Sequence, residues 1–364
     1  MKLYIAPLLA VLLSFLSMPA HAAADENLPA VDPWQFIPDL HFPEPNAPPP
    51  ITPDLGRNPD EKGIFSLIWE NDIIARTDRG YTNGARVGWL SSEKDTPQFA
   101  HWIANNLTMA DKDSQKRVAI AVGQSMYTPE DLNNPNPSPD DRPYAGWLYG
   151  SFGIVSDNGR RLDNLVLTLG VVGPWSYAEQ TQKFVHKNIT GSRDPKGWDS
   201  QLHNEPGAIL TYQRKWRSLY QFSPFGTGMD VTPNATVNLG NINTSGAAGM
   251  TFRLGYDLPA DYGPPLIRPS LPGSDFFIPT KTFGGYLFAG FQAHAVARDI
   301  FLDGNTFRDS PHVDKNVFVG DLQAGFALTY GNARLSYTHV VMTPEFHGQT
   351  GLSQYGSLNV AMRF

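Results

Sequence analysis

The strongest constraint on this chain is a period-two alternation of apolar and polar residues that runs through most of the sequence beyond Gly63. In 317–330 one face reads Phe318, Gly320, Leu322, Ala324, Phe326, Leu328 and Tyr330, and the other Val319, Asp321, Gln323, Gly325, Ala327 and Thr329. Met250, Phe252, Leu254, Tyr256 and Leu258 likewise oppose Thr251, Arg253, Gly255 and Asp257, and in 285–297 Gln292 and His294 take the polar side. Such a pattern puts alternate side chains on opposite faces of a strand. Twelve segments carry it: 63–71, 80–91, 117–126, 145–156, 163–172, 206–217, 228–240, 246–256, 284–297, 315–330, 331–342 and 354–364. The number is even, and each segment is near the about 9–11 residues that cross a bilayer when tilted. Trp69, Trp89, Trp147, Trp216, Tyr256, Tyr286 and Tyr330 fall near segment ends, where an interfacial girdle needs them. A secreted soluble β-sandwich also alternates, but its outer face carries charge rather than Leu, Phe and Tyr. The pattern therefore predicts an all-β protein: a twelve-stranded antiparallel transmembrane β-barrel.

Composition agrees where it bears on this reading. Mean hydropathy is −0.30 and only 17% of residues are charged, because averaging along alternating strands hides a lipid-facing surface. The absence of Cys excludes disulfide scaffolds and thiolate chemistry, and a net charge of −7 gives no support to nucleic-acid binding. Lys2, the apolar run Leu3–Leu16 and the small-residue box Ala20-His21-Ala22 read as a signal peptide over 1–22. The run is shorter than the roughly 20 residues of a membrane anchor. Residues 23–60 are rich in Pro and read as an extended leader, leaving 61–364 for the barrel. The expected setting is the bacterial outer membrane, and the expected state a monomer.

Outer-membrane barrels keep both termini on the periplasmic side, so odd strands run outward and even strands return. That rule gathers five polar motifs at the outer mouth: Glu70-Asn71-Asp72, Tyr81-Thr82-Asn83-Gly84, 140–146 with Arg142, a helix over Ser176–Ile189, and Asn204-Glu205-Pro206-Gly207. Pro174 ahead, Ser176 as N-cap and Gly191 beyond punctuate this helix for an extracellular loop. Gln182 and His186, four apart, share one of its faces. Two inner connections, 92–116 and 257–283, are long, and a second helix is expected at Thr96–Met109.

No G-x-S-x-G, H-E-x-x-H, Walker A or EF-hand motif is present, and no His is followed two residues later by Ser. What remains at the mouth is His186, hydroxyls, amides and carboxylates, facing the lipid of the outer leaflet. Ester hydrolysis needs a base and donors for an oxyanion. His186 is either that base or a solvated helical residue. Asn71 and Asp72 either hold a hard cation such as calcium or end a strand. Thr82-Asn83-Gly84 reads also as turn chemistry, Arg142 as a phosphate fork or a rim charge, and Glu205 as punctuation before Pro206.

At these residues the sequence resembles the outer-membrane lipid A 3′-O-deacylase (LpxR) family of twelve-stranded barrels. The resemblance is carried by Trp69–Asp72, Thr77–Gly84, Gly123–Pro129, Asp141–Trp147, Gly170–Pro174, Gln180–His186, and Gly197–Gln201 with Asn204–Gly207. It implies an esterase that removes the 3′-linked acyl chain of lipid A, using water activated by His186 and assisted by calcium. Asn71, Asp72, Thr82 and Gln182 match the family's site residues, Asp72 as a calcium ligand. Arg142 is assigned to the lipid A phosphate, with Asn83 and Glu205 on the substrate. The acidic residue that the pattern has a few positions after the His is matched only by Asp194, at shifted spacing. Lipopolysaccharide and the outer membrane are the implied partners. A non-catalytic pore or structural barrel, and an esterase on ordinary phospholipids, are the alternatives.

Overall fold

A computed structural model describes residues 60–364 apart from 73–79, 109, 192–193, 218–219, 223–226, 257, 265–270 and 280; the signal peptide and the leader up to residue 59 lie outside the described residues. Thirteen strands join in one antiparallel sheet. Twelve of them are the staves of a barrel: β1 (Ile64–Asn71), β2 (Gly80–Leu90), β3 (Gln115–Thr128), β4 (Ala145–Asp157), β5 (Arg161–Val172), β6 (Glu205–Trp216), β7 (Gly228–Gly240), β8 (Asn243–Tyr256), β9 (Phe283–Asp299), β10 (Phe318–Tyr330), β11 (Ala333–Met342) and β12 (Ser353–Arg363). The thirteenth, Tyr220–Phe222, pairs only with the start of β7. β1 pairs with β12 from Ile64↔Arg363 to Asn71↔Gly356, and β6 pairs with β7 from Ile209↔Gly240 to Lys215↔Asn234. The sheet therefore closes. Closure gives each wall strand two hydrogen-bonded neighbours, as hydrocarbon demands of a spanning sheet.

The twelve predicted segments coincide with the twelve staves. Phe65, Leu67, Val87, Ile120, Val122, Leu167, Leu169, Leu254, Leu322 and Leu358 are exposed on the outer wall, while Ser66, Arg86, Thr168, Gln213, Arg253, Gln292 and Asn359 are buried inside. The girdle needs correction at two places. Trp89, Tyr256 and Tyr330 are exposed on the outer wall as expected, but Trp147 and Tyr286 are buried. Their position within their strands gives them the inward parity, so they pack the lumen instead of meeting lipid.

Both long inner connections carry structure. In 92–116, α1 (Gln98–Leu107) starts after Pro97 and lays Ala100 and Ala104 against Val118 and Ile154 of the wall. In 257–283, Ala260–Asp261 pairs with Phe277–Ile278. The side-chain partners of this segment show where it lies. Asp275 accepts hydrogen bonds from Ser66 of β1 (2.8 Å) and Asn359 of β12 (2.6 Å) and pairs with Arg86 of β2. Arg334 of β11 pairs with Asp261 at 3.2 Å and donates to the Asp275 carbonyl at 3.0 Å. Asn164 of β5 donates to the Pro272 carbonyl, Tyr286 of β9 donates to Asp261, and Arg253 of β8 pairs with Asp261 and with Asp230 of β7. A segment that touches so many staves at once can lie only inside the barrel, at its periplasmic half. There it acts as a plug, and its carboxylates neutralise inward arginines that would otherwise be buried without partners.

Asp275→Ala leaves Arg86 without its buried counter-charge, a change that typically costs about 3–5 kcal/mol. The expected outcome is a lower melting temperature in detergent and a channel in planar bilayers where the wild type stays closed. Unchanged melting together with unchanged conductance would show that the plug is not held by this lattice.

Candidate active site

The row of register partners at the outer end of β1 to β4 defines a site on the outside of the wall. Asn71 pairs with Asn83, Asn83 with Met126, and Met126 with Gly146. All four positions have outward parity, yet Asn71, Asn83 and Met126 are buried. At β3 and β4 the row is covered by the β5–β6 loop. A 3₁₀ turn, Pro174–Ser176, packs against β5 and β4, and α2 (Ala178–Val185) then packs against β4 and β3. A Cβ on Gly146 would lie 2.1 Å from Ser176 Oγ and 2.3 Å from Ala178 Cβ, so only glycine lets the helix approach this closely. Gln124 of β3 donates to the Ser176 carbonyl at 2.6 Å. Ala178 joins Met126, Leu132, Tyr144 and Trp198 in an apolar cluster beneath the helix.

The helix thus proceeds from β5 toward β3. Eight residues separate Ala178 from His186, about 12 Å of helix, which is two to three strand spacings of about 4.8 Å. That course carries His186 toward the columns of Asn83 and Asn71. His186 and Gln182 are each 1% exposed, and Asp72 is fully buried at the end of β1. Trp198 Nε1 donates to Gln182 Oε1 at 2.7 Å, while Gln182 Nε2 is buried with no partner among the described residues. Trp198 therefore fixes which way the amide faces, and leaves its two N–H donors for another group. The backbone changes at His186: residues 186–190 form a π turn closed by Gly191 N–H to the His186 carbonyl (2.8 Å), with Gly191 at φ +70°. π turns inside α-helices are frequent at functional sites.

The predicted helix over Ser176–Ile189 is shifted at its start. Ser176 Oγ donates to the Gly173 carbonyl (2.6 Å), and the cap falls on Tyr177, the one non-glycine residue at positive φ (56°) among the described residues. The turn at Gly173 (φ +91°) and Pro174 sets the helix one step later than the Ser signal suggests. Thr82 sits at a bulge, where Tyr81 pairs with Tyr127 and Asn83 with Met126, so Thr82 is the extra residue. Bulges re-aim side chains next to active sites. The Thr82 side chain lies outside the described residues.

Three assigned positions stand apart from this row. Arg142 is buried, ion-paired with Glu345 at 3.1 Å and stacked over the Tyr127 ring at 5.1 Å. Tyr127 faces the lumen with Trp147, Phe301 and Tyr355, so Arg142 lies on the inside of the mouth, paired through Nη1 with Glu345, while its Nε and Nη2 are buried with no hydrogen-bond partner among the described residues. Glu205 accepts from Asn241 (3.1 Å), Asn305 (3.0 Å) and the Thr306 N–H (2.8 Å), which ties β6 to two outer loops. Asp194 is exposed while Asp72 is buried, and no group of three or more His, Asp or Glu among the described residues could hold a metal. Among the described residues, Asp72 and Asn71 are the assigned positions that could offer oxygen ligands to a calcium ion. Gly146, Met126 and Trp198 carry the site but were not assigned from sequence. The outward parity of 126 and 146 was the available signal for the first two.

A family model described as "Outer membrane protein LpxR" matches residues 8–364, so the match extends well beyond the 63–217 stretch that carries the motifs. Among solved structures, LpxR from Salmonella typhimurium is similar at 20% identity over 83% of this chain and all of that one, with a TM-score of 0.66. The β domain of the Bordetella autotransporter BrkA covers 84% of this chain and 99% of its own at 9% identity, with a TM-score of 0.40. A search of curated proteins found no match.

Gly146→Val should lift the loop helix from the wall without disturbing the ladder. The expected result is faster proteolysis within 174–190 at unchanged heat-modifiable gel mobility. Trp198→Phe leaves Gln182 Oε1 buried without its donor, a loss of about 1–3 kcal/mol locally. The same proteolysis assay should show a smaller increase.

Proposed function

Because the chain belongs to the LpxR family of outer-membrane proteins, we propose that it is an esterase that removes the 3′-linked acyl chain of lipid A in the outer leaflet. The observation that carries this reading is the burial of His186 and Gln182 on a helix that the β5–β6 loop packs against the outward side of β3 and β4. A solvated helical His would need none of this. A lipid acyl chain lying along the apolar wall brings its ester to the row while its headgroup stays above.

In this mechanism His186 takes a proton from water as the water attacks the ester carbonyl, and later returns it to the leaving alkoxide. Gln182 Nε2, oriented by Trp198, donates to the oxygen on which negative charge develops. The apolar cluster of Met126, Leu132, Tyr144 and Trp198 keeps bulk water from the helix–wall junction. Asn71 and Asn83 offer amide groups to the substrate. Calcium, when bound at Asp72 and Asn71, would add positive charge near the oxyanion. Arg142 and Glu205 are left out of the mechanism, since both are engaged elsewhere. The pore alternative is disfavoured by the lumen contacts of Asp261, Pro272 and Asp275 with staves all round the barrel.

The test is mass spectrometry of lipid A from cells expressing the wild type, His186→Ala and Gln182→Ala. The wild type should remove one acyl chain, His186→Ala should lose activity by at least about 100-fold, and Gln182→Ala by about 10²–10³-fold. Intact lipid A in the wild type, with calcium supplied, overturns the enzyme reading, and equal loss of the chain in His186→Ala overturns the role of the histidine. With purified enzyme, chelation of calcium should abolish deacylation, and added calcium should restore it in the wild type but poorly in Asp72→Ala.

A further inference from the structure

We propose that the outer half of the lumen is a binding cup for a neutral oligosaccharide, separate from the site on the outer wall. The plug makes it a cup and not a channel. Leu271 of the plug forms part of its floor, and the rim is formed at the level of Asp299, Asn316 and Glu345. The cavity measures about 140 Å³, room for about ten waters at the ~10–15 Å³ each requires.

The lining has two kinds of surface. Tyr127, Trp147 and Tyr355 stand together on one side, with Trp147 stacked near Tyr149 at 5.8 Å. Hydroxyl and amide side chains from β5 to β9 make the other. A pyranose has the same division, apolar C–H faces and a hydroxyl edge, and a few placed polar groups on an apolar wall are the usual form of a small-ligand site.

Two polar atoms in this lining are left over. Trp147 Nε1, a donor, and Gln213 Oε1, an acceptor, are buried with no partner among the described residues, although both residues are 2% exposed. Their neighbours are engaged: Gln213 Nε2 donates to Thr236 (3.1 Å), Gln292 to Asn234 (3.0 Å), and Thr211 to Asn238 (2.7 Å). A buried unsatisfied group costs about 1–3 kcal/mol, so the pair calls for an occupant that both accepts and donates. A sugar hydroxyl does both.

Charge sets the class of sugar. No Lys or Arg lines the cavity among the described residues. His294 is taken by Asp321 at 2.7 Å, and Glu345 by Arg142. With Asp299 also at the rim, the cup offers an anion no free cation, so anionic sugars are disfavoured and neutral ones are not.

The test uses the full-length protein in detergent and a panel of neutral di- and trisaccharides of gluco, galacto and manno configuration, with trigalacturonate as the anionic counterpart. Titration calorimetry and tryptophan fluorescence should show millimolar binding of at least one neutral member and about tenfold weaker binding of trigalacturonate. Trp147→Phe, which keeps an aromatic ring but removes the indole N–H, should weaken binding at least about fivefold, as should Gln292→Ala, with heat-modifiable gel mobility showing the barrel still folded. His186→Ala should bind like the wild type, so this result is independent of whether the chain deacylates lipid A. Failure of every neutral sugar at millimolar concentration, equal binding by Trp147→Phe, or tighter binding of the anionic sugar overturns the cup.

Discussion

The structure depends on one constraint: inside hydrocarbon a backbone N–H or C=O has no water to turn to, so every spanning strand must be paired on both sides. The β1–β12 and β6–β7 ladders meet that requirement by closing the sheet. Closure then divides each strand's side chains into a lipid set and a lumen set. The lipid set can carry little charge. Buried charge must therefore go inside, and the lumen of this barrel is correspondingly rich in arginine. The plug follows from that, because Arg86, Arg253 and Arg334 need carboxylates, and Asp261 and Asp275 supply them from a single returning segment.

The same division makes a polar site on the outer wall difficult to build. Asn71 and Asn83 have outward parity, where lipid would leave them without partners. Beside them the β5–β6 loop lays a helix on the outward side of β3 and β4. The helix needs three things to sit there: a glycine at 146 for close approach, an apolar patch of Met126 and Tyr144 to rest on, and Trp198 to hold the Gln182 amide. None of these is chemically reactive. Together they hold a helix carrying two buried polar side chains, Gln182 and His186, against the outward side of the wall.

Much of this was legible in the chain. The twelve strands and their inward and outward faces follow from period two, and the two helices from Pro, Gly and the break in alternation. The mouth location of 70–72, 81–84 and 178–186 follows from counting strands. Long-range partners were not legible. Arg142 looks like a rim charge until Glu345, 203 residues away, is found at its side. Glu205 looks like a substrate contact until Asn241 and Asn305 are seen to hold it. Trp147 and Tyr286 have girdle spacing along the chain but inward parity in the barrel. Sequence separation hides the Arg142 and Glu205 pairings, whereas the inward parity of Trp147 and Tyr286 was there to be read in the alternation itself.

By itself, then, the sequence determined that the chain is a barrel, how many strands it has, which residues face lipid, and which motifs share the outer mouth. Those properties are local, set by a repeat of two residues and by turn punctuation. The tertiary structure decided which side of the wall each mouth residue serves. It placed His186 and Gln182 outside, against the lipid face, and Arg142 and Glu205 among internal contacts. It also turned a long connection into a plug and the space above it into a cup. Those outcomes depend on contacts between distant strands and loops, which no local pattern encodes.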